Sequence, residues 1–501
     1  MTIAKPQQKL RTQAPQNYHT QSKLTHFNNP TMTIAKPQHF ARIAVSTMPV
    51  NAGETTRAVE ICKSMRDQAT ESNLDVEIKF FVTQYSPDKG VSFNHFITDA
   101  GFDLELIGPG YSSSERKALF DREHSQEEFF QGPEEKQRAV DAIRGTAAAL
   151  KKFNPTIVLY GFSYDMAAQI AAKILSIPSA LYLPLPTDMT FLNEVIYDDL
   201  PSDIQAKGFW LLPKAFRRMI LHHVITSPNT AANQPTLRAA AIEAGWVKEK
   251  KEGKTVWLWD MLESDIVLVN DLPGNYSGYD LPKSTVITGP VFPFDDDTSS
   301  ETPIDPEILR VFDPSDDTNT KIFVAMGSSG HKKDLVEAIK AASRSTPDGS
   351  IYNVVALVPR TIGSVEEIIS EGFGTDPIPD RVYLTDAFVP AKQVNKLADI
   401  AIIHGGQGTV QTAMGAGTPI VSVGLQPEQV INIRQVEKRG AGIKLERSQW
   451  SEANISDAIE RIVADGSYRK CAASVKKEMD LCDGSGTSAQ ALLALAMNQS
   501  Q

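Results

Sequence analysis

The most informative segment of this 501-residue sequence lies between residues 398 and 419. It reads Ala398-Asp-Ile-Ala-Ile-Ile-His-Gly-Gly-Gln-Gly-Thr-Val-Gln-Thr-Ala-Met-Gly-Ala-Gly-Thr-Pro419. An apolar run ends at Ile403, and a glycine-rich turn then opens a helix at about Gly408. Glycines let an anion approach the backbone, and a helix N-terminus supplies free N–H groups and a partial positive charge. Because His404 stands at the strand end, where its ring can donate to the same anion, the segment predicts a phosphate site.

A second turn follows the next predicted strand. It carries Gln426-Pro-Glu-Gln-Val-Ile-Asn432, which places a carboxylate beside an amide. The carboxyl ends of parallel strands meet at one edge of a sheet, so this pair is expected to face the same cleft as His404.

Strands and helices alternate on both sides of this segment, which predicts right-handed βαβ units on parallel sheets. The predicted strands are 41–47, 75–82, 156–160, 179–183, 266–270, 321–326, 352–358, 382–385, 399–403, 419–423 and 442–445. Residues 191–260 are predicted to be mainly helical. The fold class is therefore α/β, with two Rossmann-like doubly wound domains facing a central cleft.

Composition divides the chain further. Residues 1–39 are rich in Gln, Pro, Thr, Asn and His and are expected to form a disordered tail. The heptapeptide at 1–7 recurs at 32–38, which indicates either a second start at Met32 or an artefact of the gene sequence. The remaining parts are an N-terminal domain at 40–290, a Pro- and Asp-rich linker at 291–320, a C-terminal domain at 321–485, and a C-terminal helix and tail at 486–501.

The charge balance and the cysteines exclude several classes of protein. A formal net charge of −11 argues against nucleic-acid binding, which needs a basic surface. Three cysteines, Cys62, Cys471 and Cys482, are too few for a disulfide framework and are predicted to be reduced thiols. The sequence has neither an apolar run of membrane-spanning length nor a secretory h-region, so a soluble cytoplasmic protein is expected.

The run Asp295–Asp297 suggests a divalent metal site at first sight, because paired carboxylates bind Mg²⁺ or Mn²⁺. It follows Pro293 within the predicted linker rather than a core strand. Solvated linker charge is the better interpretation, and no metal or other cofactor is expected.

The segment around His404 resembles the donor-site signature of the family-1 glycosyltransferases, the UDP-glycosyltransferase superfamily with the GT-B fold. It is similar to the form of the bacterial and sterol-type branch, HGGxGTxxEAxxxGxP followed by [DE]QxxN. Other similarities follow in the family's order: Gly53-Glu-Thr-Thr-Arg-Ala58 to the acceptor loop, Val267–Asp271 and Val286–Val291 to the stretch before the linker, Ile322–Gly330 to the first strand and GS loop of the donor domain, and Phe388–Pro390 to the WxPQ segment.

The resemblance implies that the C-terminal domain binds the nucleotide sugar, that the N-terminal domain binds the acceptor, and that the C-terminal helix crosses back to the N-terminal domain. It implies that His404 and the backbone of residues 406–409 hold the diphosphate, that Phe388 stacks on the base, and that Glu428 and Gln429 bind sugar hydroxyls. The implied donor-binding residues are Gly327, Ser328, Ser329, Phe388, His404, Gly406, Gly408, Thr409, Thr412, Glu428, Gln429 and Asn432.

Four residues depart from the family pattern. Thr412 replaces a ribose-binding Glu, Ala391 lacks the amide of WxPQ, and Phe388 replaces Trp. These changes leave the identity of the nucleotide open: UDP is the first expectation, and dTDP and GDP are alternatives. Glu54 occupies the place of the family's acceptor-side His, where it is a general base if burial raises its pKa towards neutrality, or a first-turn carboxylate that complements the helix dipole. An acceptor that is already ionised would need no base.

The acceptor side is predicted from weaker features. Residues 208–224 combine apolar and basic side chains, which is typical of a helix that lines an apolar pocket, docks on a membrane surface or packs on the core. With the family resemblance, the acceptor candidates are Gly53, Asp165, Asp188, Trp210, Phe216 and Met219.

The resemblance thus implies an inverting, metal-independent enzyme that moves a hexose from a nucleotide sugar such as UDP-glucose to a small apolar acceptor: a lipid, a sterol, a polyketide or another secondary metabolite. Glu54 and His404 are the expected catalytic residues. A UDP-sugar 2-epimerase would need acid/base residues that the donor side lacks, whereas a non-catalytic GT-B scaffold or partner protein stays open as an alternative. No nucleic-acid partner is expected, peripheral membrane contact is a further hypothesis, and the chain is expected to be a monomer or a weak homodimer.

Overall fold

The computed structural model describes residues 40–84, 92–108, 110–112, 114–115, 117–119, 128–186, 212–213, 215–216, 219–220, 223, 234–246, 262–292, 303–315, 319–327, 330–344, 351–387 and 389–499. Within these ranges the chain forms two parallel sheets. The first sheet contains β1 Phe40–Ser46, β2 Asp75–Thr83, β3 Asp103–Ile107, β4 Ile157–Tyr160, β5 Ser179–Leu183, β6 Ile266–Val269 and β7 Thr285–Ile287. Their spatial order is β3-β2-β1-β4-β5-β6-β7.

The second sheet repeats this plan in the C-terminal half. It contains β8 Thr320–Ala325, β9 Tyr352–Leu357, β10 Val382–Thr385, β11 Ile400–Ile403, β12 Ile420–Val423 and β13 Gly442–Leu445. The spatial order is β10-β9-β8-β11-β12-β13, again with parallel pairing throughout. Both orders reverse direction at one point, as in doubly wound folds.

Helices connect the strands. Those of the first half are α1 Ala52–Glu71, α2 Asn94–Asp99, α3 Gly132–Phe153, α4 Ala167–Leu175 and α5 Pro235–Glu243. Those of the second half are α6 Pro306–Val311, α7 Lys332–Ser343, α8 Val365–Phe373, α9 Ala391–Leu397, α10 Gln407–Ala416, α11 Pro427–Lys438, α12 Glu452–Ala464, α13 Ser467–Met479 and α14 Gly484–Gln499.

The cores lie on both faces of each sheet, which explains why the central strands are continuous apolar runs. Every residue of β4 and of β11 is buried. On the second sheet, α7 and α12 cover one face, and α9, α10 and α13 cover the other. The α/β class with two doubly wound sheets, expected from the sequence, is confirmed.

The C-terminal helix α14 packs on the first domain. Its small and apolar side chains Ala489, Leu492 and Ala496 are fully buried in the core shared with α1 and β1. Gln68 on α1 also donates a hydrogen bond of 2.9 Å to the Gly486 carbonyl oxygen. The predicted crossing of this helix is confirmed: α14 packs against the N-terminal domain.

Each predicted strand is present, with bounds that agree within one residue. Two further strands, β3 and β7, were not predicted; they are the edge strands of the first sheet. The burial of β3 is partial, and β7 has only three residues, so neither gives a long apolar run. The predicted helical turn of the linker is α6. The tail at 1–39 and most of the predicted helical region at 191–260 lie outside the described residues.

The cysteines are free thiols, as predicted: Cys62 is buried, and Cys471 and Cys482 are partly buried. Burial raises the pKa of the Cys62 thiol far above its usual value. Among the helices of the described ranges, none has the length and apolar character needed to cross a bilayer.

Candidate active site

The two predicted catalytic residues lie at the topological switch points of the two sheets. In the first sheet the neighbours at this point are β1 and β4, and in the second they are β8 and β11. Loops that leave two such strands diverge to opposite faces of the sheet and open a crevice at its carboxyl edge. Glu54 follows β1, and His404 follows β11. The fold therefore presents both predicted catalytic residues at carboxyl edges.

His404 is held between two glycines. The side chain is 5% exposed. A Cβ atom added at Gly327, in the loop after β8, would lie 2.2 Å from the imidazole Cε1, and one added at Gly406 would lie 2.6 Å from Nε2. Gly327 also has a φ of +63°, which L-residues with side chains rarely adopt. The imidazole thus fills the space that these glycines leave, and larger residues would displace it.

The N-terminus of α10 has free backbone N–H groups. Gly406 is the N-cap residue, and no side chain of the described residues caps the helix. A Cβ atom at Gly408 would meet no atom of the described residues within 4 Å, so the helix start is open at this position. The Thr409 hydroxyl donates to the Gly406 carbonyl oxygen at 2.8 Å and steadies the turn. Uncapped N–H groups beside a buried histidine form an arrangement that binds an anion such as a phosphate.

Asn432 and Glu428 lie directly behind this turn. The Asn432 side-chain amide donates to the Gly405 carbonyl oxygen at 3.1 Å and to Glu428 Oε1 at 2.5 Å. This couples the loop that carries His404 to the start of α11. The predicted neighbourhood of His404, Glu428 and Asn432 is present in the structure.

Gln429 lies in the first turn of α11, next to Glu428. Its side chain is 2% exposed. Its carbonyl oxygen accepts a hydrogen bond of 2.9 Å from the Leu425 backbone N–H, and its amide nitrogen donates to Gln426 Oε1 at 3.1 Å. Both polar atoms hold the β12–α11 turn together, so Gln429 shapes the turn that presents Glu428.

Glu54 lies in the first turn of α1. The turn forms because Asn51 Oδ1 accepts a hydrogen bond of 3.1 Å from the Glu54 N–H, which is an N-cap. The Glu54 side chain is only 7% exposed. Its Oε1 lies so close to Gly161 that a Cβ there would be 1.9 Å away, and Tyr182 Oη is 3.5 Å from its backbone oxygen. The carboxylate is therefore packed into the switch point between β1 and β4, not on the surface.

Arg57 belongs to the acceptor-loop motif, but no role was predicted for it from the sequence. It lies one turn beyond Glu54 on α1 and is 8% exposed. Burial lowers the pKa of the Arg57 guanidinium, while the nearby groups Glu54, Tyr182, Glu428 and Asp271 act in the opposite direction. A buried cation thus stands among carboxylates from both domains. Only the fold brings these residues together, so spacing in the sequence could not reveal the cluster.

Asp271 is the half-buried carboxylate of this cluster, and it follows the end of β6. It accepts hydrogen bonds from the Leu272 N–H, the Asn275 amide and the Tyr276 hydroxyl. Burial raises the pKa of Asp271, and these three hydrogen bonds oppose the rise. Asp271 is the last residue of the stretch Val267–Asp271, which resembles the family's sequence before the linker. The resemblance implied no role for Asp271 itself.

Asp165 is fully buried in the loop after β4. One carboxylate oxygen accepts from the Ala167 N–H at 3.0 Å, at the start of α4, and from the Ser163 hydroxyl at 3.3 Å. Asp165 lies at the same switch point as Glu54. The two hydrogen bonds that its carboxylate accepts hold the start of α4.

The other predicted residues are placed as follows. Gly53 adjoins Glu54 in the first turn of α1, and Thr412 donates its hydroxyl to the Thr409 carbonyl oxygen at 3.1 Å. Phe216 and Met219 are 56% and 60% exposed. Asp188, Trp210, Ser328, Ser329 and Phe388 lie outside the described residues, as does the run Asp295–Asp297. Within the described ranges, no three His, Cys, Asp or Glu side chains cluster in a way that could hold a metal ion.

Comparison with known proteins shows that parts of the chain are similar to glycosyltransferases. Residues 365–491 match the family described as "Erythromycin biosynthesis protein CIII-like, C-terminal domain". A UDP-glycosyltransferase 2 from Phaeomoniella chlamydospora is 35% identical over 106 residues, which are 21% of this chain and 23% of that protein. A PGL/p-HBAD biosynthesis glycosyltransferase from Mycobacterium tuberculosis is 22% identical over 231 residues, 45% of this chain and 48% of that protein. The chain therefore spans less than half the length of these relatives.

Solved structures resemble nearly the whole chain. The calicheamicin glycosyltransferase CalG4 superposes with a TM-score of 0.59 at 18% identity, covering 93% of this chain and 99% of the other. The glycosyltransferase VinC, solved in complex with dTDP, gives a TM-score of 0.58 at 15% identity and covers 91% and 100%. At these identities the likeness establishes the fold, which is that of the GT-B glycosyltransferases.

Proposed function

We propose that the chain is a family-1 glycosyltransferase of the UDP-glycosyltransferase superfamily that transfers a hexose from a nucleotide sugar to a small apolar acceptor. We propose UDP-sugar as the donor, with dTDP-sugar as the main competitor. The observation that carries the proposal is the cradle made by His404, Gly327 and the uncapped start of α10. It offers a diphosphate both a side-chain donor and helix N–H groups.

The proposed reaction is an inverting displacement. The acceptor oxygen forms a bond to the anomeric carbon while the bond from that carbon to the diphosphate oxygen breaks. The electron pair leaves with the diphosphate, whose growing charge is stabilised by His404 and by the N-terminus of α10. These groups supply the electrostatic stabilisation in a metal-independent mechanism.

Glu54 is proposed to take the acceptor proton. Its burial beside Gly161 and Tyr182 supports this, because a carboxylate in a desolvated site is a stronger base than one in water. Arg57 lies close enough to act on its charge. Glu428, held by Asn432, is proposed to bind hydroxyls of the transferred sugar.

The acceptor class is proposed from the relatives. One of them is named for PGL/p-HBAD biosynthesis and one structural neighbour for calicheamicin, and both names point towards secondary metabolites. The exposed apolar side chains of Phe216 and Met219 are consistent with an apolar acceptor or a membrane surface nearby.

The test begins with a thermal-shift titration of the chain with UDP, dTDP, GDP and ADP. A ligand at about 100-fold its dissociation constant adds roughly 2.7 kcal/mol, which is a shift of a few degrees. One nucleotide is expected to give this shift, and His404→Ala is expected to lose it while His95→Ala keeps it. Turnover insensitive to EDTA and a product of inverted anomeric configuration by NMR would complete the assignment.

The competing proposal is a GT-B scaffold without donor chemistry, which the departures at Thr412, Ala391 and Glu54 favour. It predicts no shift with any nucleotide, in the wild type or in His404→Ala. That result would reject the transferase proposal and leave a binding or partner role.

A further inference from the structure

Two glutamines at the start of α10 join the second domain to the first. Gln407 is the first residue of the helix, and its side-chain amide donates to two backbone carbonyl oxygens, Pro184 O at 3.1 Å and Asn270 O at 2.9 Å. One turn later, Gln411 donates to the same Asn270 oxygen at 2.7 Å. Pro184 and Asn270 directly follow β5 and β6, so the donated hydrogen bonds reach the carboxyl edge of the first sheet.

The accepting residues are themselves fixed. The Asn270 side-chain amide donates to the Thr288 hydroxyl at 2.8 Å and to the Ser488 hydroxyl, on α14, at 3.3 Å. The Asn270 backbone N–H donates to the Leu183 carbonyl oxygen at 3.0 Å. Because Asn270 is fully buried and bonded in three directions, it cannot follow α10 if the helix shifts.

The contact is closely packed. Gln407 and Gln411 are 6% and 4% exposed. The cavity beside them has a volume of only about 30 Å³, which is room for about one or two waters. It is lined from the first domain by Asp271, Leu272 and Asn275, and from the second by residues of α10, α11 and α13. Buried hydrogen bonds in such a place cannot be replaced by bonds to bulk water once they are lost.

The backbone and the side chain of Gln407 have different roles. The Gln407 backbone N–H belongs to the first turn of α10, where the diphosphate is proposed to bind, while its side chain is committed to the first domain. In the signature HGGxGTxxEA, Gln407 and Gln411 occupy unspecified positions, so the family pattern assigns them nothing.

We propose that Gln407 and Gln411 are positioning residues that fix the N-terminus of α10 against the first domain, so that nucleoside diphosphate binding depends on contact between the two domains. The inference rests on the proposed diphosphate site. In this arrangement the N-terminal domain, which holds Glu54, contributes to donor affinity through Pro184 and Asn270 and does so without contacting the nucleotide.

The experiment compares Gln407→Met with Gln435→Met. Methionine keeps the length and volume of glutamine but donates no hydrogen bond. Gln435 lines the same cavity, and no side-chain hydrogen bond of Gln435 occurs among the described residues, so it is a matched control. The probe is whichever of UDP, dTDP or GDP the wild type binds best, titrated by calorimetry at a temperature well below unfolding.

Gln407→Met is expected to weaken nucleotide binding about tenfold, because it removes two buried hydrogen bonds of roughly 1 kcal/mol or less each. Gln411→Met, which removes one, is expected to weaken it about threefold and serves if the first variant does not fold. Gln435→Met should stay within twofold of the wild type.

A lowered melting temperature with an unchanged dissociation constant would overturn the inference, because it would show a purely structural contact. Equal losses in Gln407→Met and Gln435→Met would also overturn it, since volume alone would then explain the effect. A wild type that binds none of the nucleotides would overturn the proposed function together with this inference. An unchanged Gln407→Met in an otherwise active protein would overturn this inference alone.

Discussion

The two sides of the cleft follow central strands of similar parallel sheets, yet they are built from different groups. On the side of the second domain the proposed diphosphate site depends mainly on backbone: the glycines that hold the His404 ring and the N–H groups at the start of α10. On the side of the first domain it consists of buried charged side chains, Glu54 and Arg57. Backbone geometry suits a group that every donor carries, the diphosphate, whereas side chains can change with each acceptor.

The largest expected effect comes from breaking the backbone side. In Gly327→Ala the new methyl group would lie 2.2 Å from the His404 ring, at a φ that disfavours alanine. We expect kcat/KM to fall by roughly a thousandfold, because losing preorganised donors to the leaving group removes several kcal/mol of transition-state stabilisation.

Gly372→Ala is the matched control for this change. A Cβ at Gly372, within α8, meets no atom within 4 Å, and alanine favours the helix. Steady-state kinetics with both variants decides the point: comparable activity in the two would show that the position of His404 does not matter.

The second-largest effect is expected from Glu54, on the side of the first domain. Glu54→Gln removes the proposed base while preserving shape, and kcat at neutral pH is expected to fall roughly a hundredfold or more. Glu71→Gln, at the exposed end of the same helix, is the control. If Glu54→Gln keeps its turnover, the acceptor reaches the site already ionised, and Glu54 is a helix-terminus carboxylate only.

The pH dependence of kcat/KM in a variant of Arg57 tests the electrostatic interaction between Arg57 and Glu54. The positive charge of Arg57 favours the ionised form of Glu54, so its removal should raise the pKa of that carboxyl group. In Arg57→Met the acidic limb of the kcat/KM profile is expected to move to higher pH, with a loss of about tenfold on that limb and a smaller loss at alkaline pH.

Arg57→Lys should restore much of the wild-type profile, because it restores the charge. Arg66→Met, on the same helix but at the surface beside Ala100, should leave the profile in place. A uniform loss at every pH in Arg57→Met would show a packing role instead of an electrostatic one.

The contrast also explains what could be predicted from the sequence. Buried parallel strands are continuous apolar runs, so the central strands were predictable, whereas the partly exposed edge strand β3 and the three-residue edge strand β7 were not. The glycine-rich diphosphate segment was predictable because backbone requirements leave a residue-type signature. Gln407 and Gln411 were not, since their partners are main-chain oxygens, which any residue supplies.

The same reasoning limits what the family pattern says about single side chains. Gln429 matches the pattern, but its amide is bonded within the β12–α11 turn. Arg57 lay within a quoted motif without a role, because its importance depends on Glu428 and Asp271, which are distant in sequence. Contacts between domains are the part of the site that a linear pattern does not encode.

The smallest expected effect is a gain in nucleotide affinity. Thr412 is half-buried and bonded only weakly to its own helix, through a hydroxyl at 3.1 Å from the Thr409 carbonyl oxygen. Thr412→Glu restores the family's ribose-binding carboxylate, which can accept hydrogen bonds from both ribose hydroxyls. We expect nucleotide affinity to rise about fivefold by calorimetry, as one added charged hydrogen bond of about 1 kcal/mol would give. Thr412→Gln, of equal length but without the charge, should gain less. A loss of affinity in Thr412→Glu would mean that the nucleotide in this protein does not lie as it does in its relatives, and that the backbone side of the cleft has diverged along with the side-chain side.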